Sequence, residues 1–387
     1  MDIKKAICVF GTRPEAIKMA PLIQQLRKNE CIQSKICVTG QHKQMLESVL
    51  ELFEIVPDFN FEVMTPNQNL STLTAKILTG LAEVYTTWMP DFILVHGDTT
   101  TTLAASLSAY YHKIPVFHVE AGLRTGNIYS PWPEEINRKL TASLASIHFA
   151  PTPLSRMNLL EEGVNPEGIF VTGNTVIDAL FHISNRIDSN QMIRNELEKQ
   201  FDFLDSERKV ILVTGHRREN FGEGFSRICE SLAQIAGLYP DVDIVYPVHL
   251  NPNVQIPVHQ LLAGFKNIHL ISPIDYVSFI YLMRKSYFIL TDSGGVQEEA
   301  PSLGKPVLVM RNNTERPEAV NAGTIELVGT DAKKIVAHAS RLLTNHNHYR
   351  KMSLAQNPYG DGKASERIVE IILQRYSLGL KKEVTTC

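Results

Sequence analysis

The chain has 387 residues, 44% apolar and 20% charged, with a formal net charge of -3 before its 13 histidines are counted. That length suits two or three ordinary folded domains, and the near-neutral balance leaves no basic footprint for nucleic acid. No apolar stretch nears the ~18 residues that a membrane span needs, and the first apolar run, ended by Gly11 and Arg13, is too short for a signal peptide.

Short runs rich in Val, Ile and Phe predict strands at 6–10, 35–39, 91–95, 114–119 and 168–173. Continuous rather than alternating apolar character marks strands covered on both faces. Between them, segments 14–28, 43–52, 70–88 and 99–112 predict helices. A polar helical stretch at 176–208 interrupts the pattern, which restarts with strands at 209–215, 242–248, 268–272, 286–292 and 305–310. Alternating strand and helix predicts right-handed crossovers and a parallel sheet. The expected fold class is α/β, two doubly wound Rossmann-like domains with a cleft between them. Segment 365–380 predicts an amphipathic helix, with Ile368, Ile371, Ile372 and Tyr376 on one stripe, that packs back onto the first domain. The N-terminal domain is thus expected at 1–175 plus 366–387 and the C-terminal domain at 176–365. Cysteines 8, 31, 37, 229 and 387 form no C-x-x-C pair, which argues against a disulfide framework or zinc site and for a reducing, cytoplasmic setting.

Ligands of open α/β sheets gather beyond the carboxyl ends of the strands. Polar segments follow seven of the predicted strands: GTRPEAIK, HGDTTTT, EAGLRTG, TGHRREN, HLNP, TDSGG and RNNTERPE. In TDSGG, Ser293 suits a helix N-cap, and Gly294 and Gly295 expose backbone N–H groups to a phosphate. A plain capped helix is the alternative. Glu298 and Glu299 follow one turn later, placed to accept sugar hydroxyls. Arg13 and Lys18 flank a helix start at Pro14, either as anion ligands or as an exposed pair. His216 adjoins two arginines and suits proton transfer or diphosphate support. Segment 129–145 predicts a helix with Ile136, Leu140, Leu144 and Ile147 as its apolar stripe. Glu134 and Arg138 lie opposite, as a surface salt bridge or as site residues. In HGDTTTT, Asp98 stands at a strand end and Thr99 caps the next helix, leaving the other threonines to offer hydroxyls to the site. Three carboxylates in the first half (Asp98, Glu120, Glu134), and a phosphate cradle with cations in the second, suit a nucleotide-sugar enzyme.

The motifs FGTRPEAIKMAPL, VHGDTTTTLAASL, HVEAGLRTG, YSPWPEEINR, TGNTVIDAL, TGHRREN, YPVHLNPNV, LTDSGGVQEEAPSLGKPVLVMR, TERPEAV and NPYGDGKASERI run in order from about residue 6 to residue 372. Together they resemble the bacterial non-hydrolysing UDP-N-acetylglucosamine 2-epimerases. The resemblance implies a glycosyltransferase-B type fold, a homodimer, no cofactor (neither metal nor NAD), and interconversion of UDP-GlcNAc and UDP-ManNAc for surface polysaccharide. It implies Arg13 on the phosphates, with Ser293, Gly294 and Gly295 holding the diphosphate and His216 beside it. Glu299 would take the ribose hydroxyls, Arg316 the nucleotide, and Ile274 and Phe279 the uracil. Lys18, Asp98, Glu120, Glu134 and Arg138 would line the sugar site. Gln41 and Gln44, in GQHKQ, match a second site through which UDP-GlcNAc activates the family, although Asn67 stands where some members carry Arg.

The C-2 hydrogen of the sugar adjoins no carbonyl and is not acidic, so direct deprotonation is implausible. The family's route is elimination of UDP to 2-acetamidoglucal, then re-addition with the C-2 proton on the other face. Asp98, Glu120, Glu134 and His216 are the expected catalytic groups. A hydrolysing relative, a glycosyltransferase of the same fold and a non-catalytic sensor are the competing readings.

Overall fold

The computed structural model describes residues 3–40, 43–63 and 69–383. The chain divides into two units, Met1–Ala179 with Tyr359–Cys387, and Leu180–Pro358. The first divide falls inside a helix, Thr175–Ser189, and the second at the fully buried Tyr359. The sequence placed these divides at 175/176 and 365/366.

In the first unit, seven strands run β1 (Lys4–Phe10), β2 (Ile32–Val38), β3 (Phe59–Asn60), β4 (Phe92–His96), β5 (Val116–Val119), β6 (Ile147–Ala150) and β7 (Ile169–Val171). They form one sheet in the order β3-β2-β1-β4-β5-β6-β7. The second unit carries β8 (Lys209–Thr214), β9 (Val242–Pro247), β10 (Ile268–Ile271), β11 (Phe288–Thr291), β12 (Val307–Val309) and β13 (Ile325–Leu327), in the order β10-β9-β8-β11-β12-β13. All the strand pairings are parallel. Helices cover both faces, which is why Ile7, Val9, Ile93, Val95, Ile211, Val213, Ile289 and Leu290 are completely buried.

The α/β, doubly wound reading therefore holds for both units. Three strands escape the apolar-run criterion. β3 has two residues, β13 has three with Glu326 among them, and β6 follows helix Glu134–Leu144 after only two residues and contains His148.

In the first unit an aromatic row crosses one sheet face. Phe92 stacks on Phe117 at 4.6 Å, Phe117 meets Phe149 edge-on at 6.5 Å, and Phe149 meets Phe170 at 6.4 Å. The C-terminal helix Ala364–Glu383 joins that row through Tyr376, 5.5 Å from Phe92, and buries Ile368 and Ile372 fully. Its first turn is held by Asp178, which accepts the backbone N–H groups of Ala364 and Ser365 at 3.2 and 2.7 Å.

Strand order reverses between β1 and β4 in one sheet and between β8 and β11 in the other. At such switch points the loops after the two central strands diverge and leave a crevice for a ligand. GTRPEAIK and HGDTTTT flank the first crevice, TGHRREN and TDSGG the second.

Candidate active site

The crevice of the first unit is pinned by Glu15. Thr12 caps helix Arg13–Arg27 in a capping box with Glu15. One Glu15 oxygen accepts the Gly11 and Thr12 N–H groups at 3.0 and 2.8 Å. The other accepts the hydroxyl of Thr99 at 2.6 Å, from the loop after β4, with the Thr102 hydroxyl oxygen 3.2 Å away. Burial pushes the Glu15 carboxyl above the usual carboxylate range, against the pull of these hydrogen bonds. Thr99 caps helix Thr100–Tyr111, as its position in the sequence predicts. Thr101 and Thr102 are buried, however, and do not offer hydroxyls to the site. Thr101 bonds Thr39 at 2.8 Å, and Thr102 also donates to the His96 carbonyl at 2.5 Å. Arg13 is the first residue of its helix and is half-buried at the mouth of the β1 loop.

Around this staple stand the sugar-site candidates. Lys18 is buried and ion-paired with Glu120, which also accepts the Asn174 amide at 2.7 Å. Glu120 adopts a left-handed backbone, φ 62°, immediately after β5. For a non-glycine residue such a conformation costs about 1–3 kcal/mol and persists only where its surroundings enforce it. His96 Nε2 lies 3.8 Å from Glu120, and burial holds this ring at about 4, with Glu120 opposing and Lys18 reinforcing. Neutral His118 accompanies it, with Nε2 2.7 Å from the Gly97 carbonyl.

Asp98 is half-buried. Its carboxylate takes Arg138 at 2.5 Å, and its carbonyl takes Asn137 at 2.9 Å.

Helix Glu134–Leu144 carries Arg138 in an orientation opposite to the amphipathic expectation. Glu135, Asn137, Arg138 and Thr141 are buried, while Ile136 and Leu140 are 37% and 47% exposed. The predicted apolar stripe is wrong because the polar face has partners inside. Glu135 accepts Arg138 at 3.1 Å and the Thr125 and Gly126 N–H groups. Arg138 therefore bridges Asp98 and Glu135, in place of the Glu134 that i, i+4 spacing offers. Glu134 begins the helix, partly exposed. The structure brings Lys18, Asp98, Glu120 and Arg138 to the ends of β4 and β5 and their flanking helices.

In the second unit the pin is Asp292, fully buried at the end of β11. It accepts the N–H groups of His216 and Arg217 at 2.9 and 2.8 Å and the Asn220 amide at 3.3 Å. The His216 ring stacks on His249 with centroids 5.3 Å apart.

Ser293 is the N-cap residue of helix Gly294–Ser302, yet its side chain makes no capping bond. Gly294 is required by packing: a Cβ there would lie 2.7 Å from Nη1 of Arg316. That guanidinium is fixed by Glu298 at 2.7 Å and Glu315 at 3.3 Å. Glu298, fully buried in this pair, is a partner of Arg316 rather than of a sugar hydroxyl. Burial alone would raise the Glu315 carboxyl, but Arg316 and Arg311 prevail and hold it at about 2.

Glu299 accepts the Tyr276 hydroxyl at 2.5 Å, which joins helix Gly294–Ser302 to the segment of Ile274 and Phe279, both half-buried. Gln41 and Asn67 lie outside the described residues, as does the side chain of Gln44.

The sequence pattern does not single out Glu15, Glu135, Asn174 or Asp292. Adjacent acids in PEEI, and polar residues directly after strands, were the only signals available.

Two parallel, doubly wound sheets, each with a polar cluster at its switch point, define an α/β protein of the glycosyltransferase-B type. A family model described as UDP-N-acetylglucosamine 2-epimerase matches residues 24–373. The chain belongs to that family and is with it an enzyme of the isomerase class. It is 60% identical over 368 residues to a UDP-N-acetylglucosamine 2-epimerase of Yersinia pestis, covering 95% of this chain and 98% of the relative. The corresponding enzyme of Escherichia coli K12 is 58% identical, again over 95% and 98% of the two chains. Among solved structures, UDP-GlcNAc 2-epimerase from Neisseria meningitidis, bound to UDP-GlcNAc, superimposes with a TM-score of 0.92 at 53% identity, over 96% of this chain and 100% of that one.

Proposed function

We propose that the protein interconverts UDP-GlcNAc and UDP-ManNAc in the cytoplasm, as a homodimer, by eliminating UDP and adding it back, and so supplies ManNAc units for surface polysaccharide. The observation that carries the reading is similarity over nearly the whole chain to a relative whose structure holds UDP-GlcNAc. The residues at the two switch points support it.

In the forward half-reaction a base removes the C-2 proton, the electron pair forms C1=C2, and the C-1 oxygen bond to UDP breaks. The products are 2-acetamidoglucal and UDP. In the return half-reaction an acid delivers a proton to the opposite face of C-2 as UDP oxygen rejoins C-1. Asp98, Glu120 and Glu134 supply the proton-transfer groups, each worth about 10²–10⁴ in rate when well placed. Lys18 is ion-paired with Glu120 and Arg138 with Asp98. Leaving UDP gains charge, which Arg13, His216, Arg316, the Ser293 hydroxyl and the N–H groups of Gly294 and Gly295 stabilise, the Ser293 N–H being given to the Thr291 hydroxyl at 2.9 Å. Glu299 takes the ribose, and Ile274 and Phe279 take the uracil. Activation by UDP-GlcNAc through Gln41 and Gln44 completes the reading.

Purified protein incubated with UDP-GlcNAc tests it. UDP-ManNAc is the expected product. Free ManNAc with UDP points instead to a hydrolase, UDP release that depends on an added acceptor to a transferase, and binding without turnover to a sensor.

A further inference from the structure

Asn174 follows β7 and precedes helix Thr175–Ser189, by which the chain leaves the first unit. It is 2% exposed. Its Oδ1 accepts the Val176 N–H at 3.1 Å, an ordinary helix-capping bond. That donor settles the orientation of the amide, so Nδ2 must be the atom 2.7 Å from Oε2 of Glu120. The Lys18 ammonium donates to the same oxygen. The support is itself anchored: the Asn174 N–H donates to the Tyr359 carbonyl at 2.8 Å, and Tyr359 is fully buried. Gly173 makes this approach possible, with φ 90° and a Cβ position only 3.3 Å from that carbonyl.

We propose that Asn174 is a positioning residue for Glu120, fixing the carboxylate plane and keeping its Oε2 an acceptor while the same amide caps the helix. The inference rests on the proposed proton-transfer role of Glu120. Two donors on one oxygen set the carboxylate's rotamer. They do so at a residue whose backbone is in the left-handed region and needs outside support. The titratable groups that face Glu120 include Lys18, from helix Arg13–Arg27, and His96, from β4.

A cap and a positioning residue are separable. Asp and Ser are good N-caps. Asn174→Asp keeps an oxygen for Val176 but sets a second carboxylate against Glu120, so that the two must share a proton. The expected result is a melting temperature near that of the unaltered protein and a KM within about threefold, with kcat lower by about 10²-fold. The acidic limb of the kcat–pH profile moves upward by about one pH unit or more. Asn174→Ser, which keeps the cap and removes the donor, lowers kcat by about tenfold without that upward move. Asn174→Asp with unaltered kcat and pH profile would overturn the inference; if that variant does not fold, full kcat in Asn174→Ser does so. Failure of the unaltered protein to form UDP-ManNAc counts against the proposed reaction, whereas normal turnover with indifferent Asn174 variants counts only against this role.

Discussion

The two units solve one mechanical problem from opposite sides. At each switch point two loops diverge and must be tied together before either can hold a ligand. In the first unit the tie starts after β1, where Glu15 gathers two N–H groups of its own loop and the Thr99 hydroxyl from the loop after β4. In the second unit it starts after the equivalent of β4, where Asp292 gathers N–H groups from the loop after β8. The surroundings diverge accordingly. The first unit surrounds its staple with carboxylates matched to Lys18 and Arg138, plus the neutral, buried His96 and His118. The second packs Arg311 and Arg316 against Glu298 and Glu315. The same scaffold thus presents an edge of paired carboxylates in one unit, to which the proposed function assigns proton transfer, and an edge of glutamate-fixed arginines in the other, to which it assigns the UDP.

The staples can be broken directly. Removing either carboxylate leaves several buried donors without partners, each costing about 1–3 kcal/mol. Glu15→Ala and Asp292→Ala are each expected to lose about 3 kcal/mol or more, read by denaturant unfolding. A loss under about 1 kcal/mol at either site would end the equivalence.

The next largest contrast is in acid. Burial lowers His96 to about 4, His118 to about 3, with His148 adding to the burial there, and His148 to about 4. These groups are depressed in the folded state, so the unfolded chain takes the protons first. Their stabilisation is full above the ordinary histidine range and falls as pH drops through it toward 4, by up to about 1.4 kcal/mol per pH unit for each. Glu15 and Asp178, raised by burial, act in the opposite sense and blunt this loss. In the second unit burial also lowers His216 and His348, against the opposing pull of Asp292 and Glu326, while Glu315, held at about 2, loses its contribution only from the ordinary carboxylate range downward. Both tryptophans, Trp88 and Trp132, belong to the first unit. Tryptophan fluorescence should therefore change at higher pH than the full loss of far-UV circular dichroism; coincident curves would remove the distinction.

A smaller effect sharpens the anion-holding side. Gly294→Ala pushes a methyl group against the guanidinium of Arg316, 2.7 Å away, whereas at Gly295 the same methyl meets Glu299 at an ordinary 3.6 Å. UDP affinity by calorimetry should fall about tenfold, or 1.4 kcal/mol, for the first and less for the second. Equal affinities would separate Arg316 from nucleotide binding.

Much of the fold was legible because strands buried on both faces must be apolar throughout, as in FILV at 92–95 and VILV at 210–213. The same criterion passes over β3, β6 and β13, which are short or carry His148 or Glu326. The polar loops at strand ends were legible for a related reason, since charge directly after a buried run marks where the chain leaves the sheet at its carboxyl edge. Helix Glu134–Leu144 defeats pattern reading: its inward face is polar because Asp98 and two backbone N–H groups wait there, and periodicity does not distinguish a buried polar face from a wet one. Glu15 and Asn174 lie at helix starts, where their local bonds are those of ordinary caps. Their second bonds, to Thr99 and Glu120, span 84 and 54 residues and exist only once the sheet has assembled.

The central claim is that the carboxylate edge exchanges the C-2 proton while UDP is off the sugar. Incubation with UDP-GlcNAc in D₂O, followed by NMR and mass analysis of the recovered nucleotide sugar, tests it most directly. The account predicts UDP-ManNAc together with deuterium at C-2 of both UDP-sugars and no accumulation of free ManNAc. Epimerisation that retains the original C-2 hydrogen, or conversion to free ManNAc and UDP alone, would contradict it.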